Sequence, residues 1–157
     1  MARIVVDVPM RWGDMDAYGH INNVNSVRLM EEARVHALGV PGGTGREGVP
    51  APATFLNDVS PSTQVLVVDH RVRYLSPLEY RNVPVRVEVW IANIKAASFD
   101  VCYEFFDPVE NTLCIKASTT LAFFSTETQR LLRISSDEKR RMERFSGPPV
   151  FGERKSS

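Results

Sequence analysis

Residues 98–124 read S-F-D-V-C-Y-E-F-F-D-P-V-E-N-T-L-C-I-K-A-S-T-T-L-A-F-F. Phe99, Val101, Tyr103 and Phe105 share one face, and Leu113, Ile115, Ala117, Leu121 and Phe123 keep the same period. A period of two predicts two strands, Ser98–Phe106 and Thr112–Phe124, each with one covered face. Asp107-Pro108-Val109-Glu110-Asn111 between them reads as a hairpin loop. Just upstream, Val83–Ile94 places Val83, Val85, Val87, Val89 and Ile91 on one face and Arg86 and Glu88 on the other. Gln64–Leu75, closed by Ser76-Pro77, and Ile4–Met10 complete the strand-like runs.

One long helix is expected from about Asn22 to Leu38, with Asn22 and Asn23 as caps and Gly39 and Pro41 as the stop. Val40–Pro52, with four glycines and three prolines, reads as loop. Thr54–Asp58 fits either a helical turn or a short strand. Ser135 and Glu138 have capping-box spacing and open a second helix to about Phe145. A sheet must bury its apolar face, and the first helix is the only long apolar partner. The expected fold is therefore α+β, an antiparallel sheet of about five strands wrapped around one long central helix, the hotdog architecture. Residues 1–146 read as a single domain and 147–157 as a flexible tail. Such a sheet has exposed edges, so pairing of protomers is expected.

The 157 residues suit one domain, and 43% hydrophobic with 24% charged residues excludes disorder. Lys plus Arg equals Asp plus Glu at 19 each, so the basic excess of a nucleic-acid binder is missing. Cys102 and Cys114 form no CxxC pair and suit buried thiols in a reducing cytoplasm. Neither a signal peptide nor a membrane-length apolar run is evident.

Chemistry concentrates in Arg11-Trp12-Gly13-Asp14-Met15-Asp16-Ala17-Tyr18-Gly19-His20-Ile21-Asn22-Asn23. Two carboxylates, a histidine and two asparagines stand directly before a helix start. Free N–H groups at a helix start can hold a carbonyl oxygen as it becomes an oxyanion. A neighbouring carboxylate can attack that carbonyl or activate water. Asp14 and Asp16 also suit ordinary turn roles, and Asn22 and Asn23 ordinary caps.

This run, followed by Glu31-Glu32-Ala33-Arg34, resembles the opening motif of the 4-hydroxybenzoyl-CoA thioesterase family of hotdog proteins. His70 to Asn82, H-R-V-R-Y-L-S-P-L-E-Y-R-N, is similar to that family's later strand and turn. The resemblance spans about Val5 to Phe124. It implies hydrolysis of an acyl-CoA by Asp16, as general base or nucleophile, with the Asn23 N–H as oxyanion donor. It implies a structural Asp14, and a pocket to which His20, Asn22 and Gly19 belong. It further implies no metal or redox cofactor (coenzyme A being part of the substrate) and a site built across a homodimer or homotetramer. An acyl-carrier-protein thioesterase and a non-catalytic acyl-CoA-binding module are the alternatives.

Ser26 departs from the family's tyrosine at that position and is expected to enlarge the acyl pocket. Glu31 shares a helix face with Val24, Val27, Val35 and Leu38, and so reads either as a buried, paired carboxylate or as a second carboxylate of the site. Arg71, Arg73, Arg81 and Arg86 could meet CoA phosphates or be solvated strand charges; Arg73 joins the substrate-binding set. Ser98, beside Phe99, falls where related proteins approach the pantetheine arm. His36 and His70 have no catalytic context.

Overall fold

The computed structural model describes residues 3–41, 48–54, 56 and 59–152. In chain order the elements are β1 (Ile4–Val8), α1 (Asn23–Leu38), β2 (Thr63–Tyr74), β3 (Val85–Ala92), β4 (Phe99–Phe106), β5 (Leu113–Ser125), β6 (Arg130–Leu131) and α2 (Ser136–Glu143). The strands form one antiparallel sheet in the order β1-β3-β4-β5-β2, with β6 paired to the end of β5. Most of Thr54–Asp58 lies outside the described residues.

The period-two residues of β3, β4 and β5 form the inner face. Val85, Val87, Val89, Phe99, Val101, Tyr103, Phe105, Ile115, Ala117, Leu121 and Phe123 are all buried there. Leu29, Met30, Ala33, Ala37 and Leu38 of α1 belong to the same apolar cluster, so the helix fills the concave side in the hotdog manner. Asn22 caps α1 by accepting from the Val24 N–H at 2.9 Å. The expected box closes α2, with Ser135 and Glu138 bonding reciprocally.

Three expectations need correction. The buried face of α1 runs through Ser26, Leu29, Met30, Ala33, Arg34, Ala37 and Leu38. Glu31 therefore points outward and its side chain is 67% exposed, with Arg34 at 3.8 Å as partner. The valine stripe suggested a different face because α1 carries apolar residues on both sides; Val24 is exposed. Second, the chain after Gly147 is not frayed as far as Gly152. Gly147 donates to Ile91 O, Trp90 Nε1 donates to Pro148 O at 2.7 Å, and Phe151 is buried beside Arg71 and Arg73. This strap covers Trp90, Ala92 and Cys102 on the outer face of the sheet, an apolar cluster separate from the main core. Third, Ser26 opens no space, because Tyr74 stands against it.

β2 forms one edge of the sheet and β1 the other. A bulge at Val68 shifts the register of β2 against β5, so Val65 and Val67 face inward before it and His70, Val72 and Tyr74 after it. Leu66, Val67, Val68 and Tyr74 on the β2 edge are exposed.

Candidate active site

A short 3-10 turn, Trp12–Asp14, follows β1 and carries Asp14 into the interior. One Asp14 oxygen accepts the Arg11 N–H at 2.8 Å and Arg28 at 2.7 Å, and the other accepts two Arg11 guanidinium N–H groups. Burial works to raise its pKa, but the bonds from Arg11 and the charges of Arg28 and Arg11 outweigh it and hold the carboxyl below its ordinary value. The Asp14 carbonyl also accepts the Asn22 N–H and the Asn25 side-chain amide, tying the loop to the helix start.

Asp16 sits in a different environment. Its Oδ1 accepts the Tyr18 N–H at 2.8 Å and the His20 N–H at 3.1 Å. Its Oδ2 meets no donor among the described residues. The turn closes through Asp16 N–H to His20 O at 2.7 Å, and Gly19 supplies the positive φ of 78° that it requires. Ile21 N–H donates to Leu78 O, which stitches the loop to the segment after β2.

A cleft of about 380 Å³ opens here, lined by Asp16, His20, Ile21, Asn22 and Asn23 on one side and by Tyr74 to Leu78 and Ile115 on the other. Asn23 is the first residue of α1. The Asn22 cap is used on Val24, and the Asn23 N–H meets no acceptor among the described residues. The cleft thus combines one open carboxylate oxygen, one free backbone donor and an apolar wall.

Of the residues singled out from sequence, Asp16, His20, Asn22 and Asn23 come together in this cleft. Gly19 shapes the turn and does not line it. Ser26 is 1% exposed and does not line the cleft, its Oγ lying 2.8 Å from the hydroxyl of Tyr74, which does. Glu31 is elsewhere on α1. Arg73 lies over the Phe151 ring on the outer face. Ser98 lines a separate cavity of about 320 Å³ on that outer face, with Asp69, Arg71, Asp100 and the strap. Arg81 is held by Glu79, Asp107 and Glu110, and Arg86 by Glu88 and the Phe106 ring. Among the described residues no three metal-ligating side chains converge. Tyr74, Leu75, Leu78 and Ile115 were not foreseen as cleft walls. Ser76-Pro77 marks the end of β2, but which way Tyr74 faces depends on the bulge at Val68 and is not written in the run itself.

Residues 10–147 match the thioesterase-like superfamily. No curated protein matches the chain in sequence. Similar solved structures include a predicted thioesterase from Bacillus stearothermophilus, at 20% identity and TM-score 0.74, covering 94% of this chain and 99% of that one. Another is a thioesterase from Thermus thermophilus in complex with coenzyme A and zinc, at 20% identity and TM-score 0.66, covering 92% and 95%. A third is the DHNA-CoA thioesterase of Staphylococcus aureus, at 20% identity and TM-score 0.69, covering 92% and 91%. At these identities the structures speak to fold, and the match over residues 10–147 carries the family: the chain belongs to the thioesterase-like superfamily and is a thioester hydrolase.

Proposed function

We propose that the chain cleaves acyl-CoA thioesters to a free acid and coenzyme A, with Asp16 as the reacting carboxylate. In the general-base form, Asp16 Oδ2 takes a proton from water and the resulting hydroxide adds to the thioester carbonyl. In the nucleophilic form, Oδ2 adds directly and water later cleaves the mixed anhydride. Either way negative charge develops on the carbonyl oxygen, where the Asn23 N–H stabilises it. Collapse breaks the C–S bond and releases a thiolate, a leaving group that needs no strong acid. The observation that carries this reading is the division of labour at the cap: Asn22 satisfies Val24 and leaves Asn23 free beside Asp16. His20 and Asn22 line the same space. Glu31, Arg73 and Ser98 can join it only from a second protomer.

A second copy also suits the free β2 edge, where Leu66, Val67, Val68, Tyr74 and Leu75 are exposed. Two buried free thiols, with Cys102 pushed up to about 11 by burial, fit a cytoplasmic setting. Among the described residues no helix is long and apolar enough to cross a membrane.

The test is thiol release from aromatic, short and long acyl-CoAs by wild type and Asp16→Asn. A loss of about a hundredfold or more in turnover is expected for removal of the base or nucleophile. Turnover unaffected by Asp16→Asn would sink the assignment. Activity on carrier-protein thioesters alone would correct the substrate. Sedimentation should give a dimer or tetramer; a monomer would leave Glu31, Arg73 and Ser98 without a role in the site.

A further inference from the structure

We propose that Tyr74 is a positioning residue for the oxyanion donor, clamping the Asn23 carbonyl together with Ser26 and so fixing the Asn23 N–H toward the cleft. This rests on the reading of that N–H given above.

Tyr74 is the last residue of β2, and the bulge at Val68 sets the parity that turns it toward α1. Its hydroxyl lies 2.8 Å from Ser26 Oγ and 3.2 Å from the Asn23 carbonyl oxygen, while Ser26 Oγ donates to that same carbonyl at 2.7 Å. Three oxygens share two O–H protons. If both hydroxyls donated to the carbonyl, two lone pairs would face each other across the Ser26–Tyr74 contact. In the favourable arrangement one hydroxyl donates to the carbonyl and the other closes the triangle. Both hydroxyls are therefore needed, and removing either opens it.

The clamp acts on one peptide unit, the bond between Asn23 and Val24. Its N–H is held by Asn22 Oδ1 at 2.9 Å and its carbonyl by the triangle. With that plane fixed at both ends, rotation about Asn23 is restrained and the N–H on its other side keeps one direction. An oxyanion donor works because it is aimed before the charge appears. A tyrosine from the neighbouring strand thus supplies a hydroxyl beside the position where the resemblance leads one to expect a helix tyrosine, and Ser26 is small enough to admit it.

Tyr74→Phe keeps the ring and removes the hydroxyl. Loosening the donor should lower kcat about tenfold, less than deleting it, with KM unchanged within about twofold for every acyl group. Ser26→Ala should do the same, Ser26→Thr should restore most of the rate, and the double variant should be no slower than the slower single, because both hydroxyls act on one carbonyl. An unchanged kcat, a loss confined to KM for particular acyl chains, or losses that multiply would overturn the proposal. Amide exchange at Val24, whose N–H belongs to the clamped peptide unit and is held by Asn22 Oδ1, separates this from the functional reading. If wild type cleaves no thioester, the clamp still predicts exchange about tenfold faster in Tyr74→Phe, and equal exchange rates refute it.

Discussion

Asp14 and Asp16 stand two residues apart on one loop, and the protein treats them in opposite ways. Asp14 is buried, both of its oxygens are met by Arg11 or Arg28, and it links β1 to α1. Asp16 lies at the rim, with one oxygen fixed by backbone amides and the other open to a cleft. On the function proposed above, the difference is between a carboxylate that holds the loop and one that can react. Charge alone does not suffice, since Asp14 is itself held as an anion by Arg11 and Arg28. A satisfied carboxylate has no oxygen to offer, and a carboxylate held at one oxygen is both aimed and available.

The largest effect that would test this contrast is on folding. Asp14→Ala leaves Arg28 without its anion and Arg11 N–H without an acceptor. It should cost about 3 kcal/mol, lowering Tm by roughly 10 °C for a domain of this size. Asp16→Asn should shift Tm far less while abolishing most turnover. If Asp16→Asn proved the more destabilising of the two in thermal unfolding, the division into structural and reactive carboxylates would be wrong.

Acid sensitivity sharpens the same contrast. The folded pKa of Asp14 lies below its ordinary value of 3.8. Its contribution is therefore full above pH 3.8 and lost as pH falls through the lowered folded value. Denaturant titrations should show the stability gap between wild type and Asp14→Asn narrowing below that pH. A gap that stays constant from neutral pH into acid would mean the carboxylate's charge is not what holds the loop. His70 works in the same direction at higher pH. Burial, then the charge of Arg34, lowers its pKa, so its contribution is present above pH 6.5 and declines as pH falls below it.

The sequence carried the sheet better than the cleft. β3, β4 and β5 keep strict alternation and were placed within about two residues, because a sheet covered on one face requires a period of two. β2 conceals its parity behind the bulge at Val68, so nothing local said that Tyr74 faces the helix and Arg73 the strap. Asp16, His20, Asn22 and Asn23 were legible as one motif because they are contiguous. Glu31 reads into an apolar stripe because Val24, Val27, Val35 and Leu38 share its period, yet of these only Leu38 is fully buried and Val24 is exposed. The strap at 147–152 was unreadable because one aromatic, Phe151, anchors it through contacts with distant strands.

The smallest expected effect separates the two arginines around Asp14. Arg11 is mostly exposed, its side chain 66% accessible, and its backbone N–H stays on Asp14 whatever the side chain. Arg11→Ala should therefore cost about 1 kcal/mol or less, as screened surface pairs do. Arg28 is less exposed and gives Asp14 a single N–H contact at 2.7 Å, while its Nε is buried with no partner among the described residues. Arg28→Ala should cost more than Arg11→Ala, because it removes the charge on the inner side. Arg28→Lys tests what the guanidinium is for. If only the charge matters, lysine keeps it, removes the unpaired Nε, and leaves stability within about 1 kcal/mol of wild type by urea unfolding. If Arg28→Lys falls as far as Arg28→Ala, the reach or planarity of the arginine sets the position of Asp14, and the closed carboxylate depends on shape as well as charge.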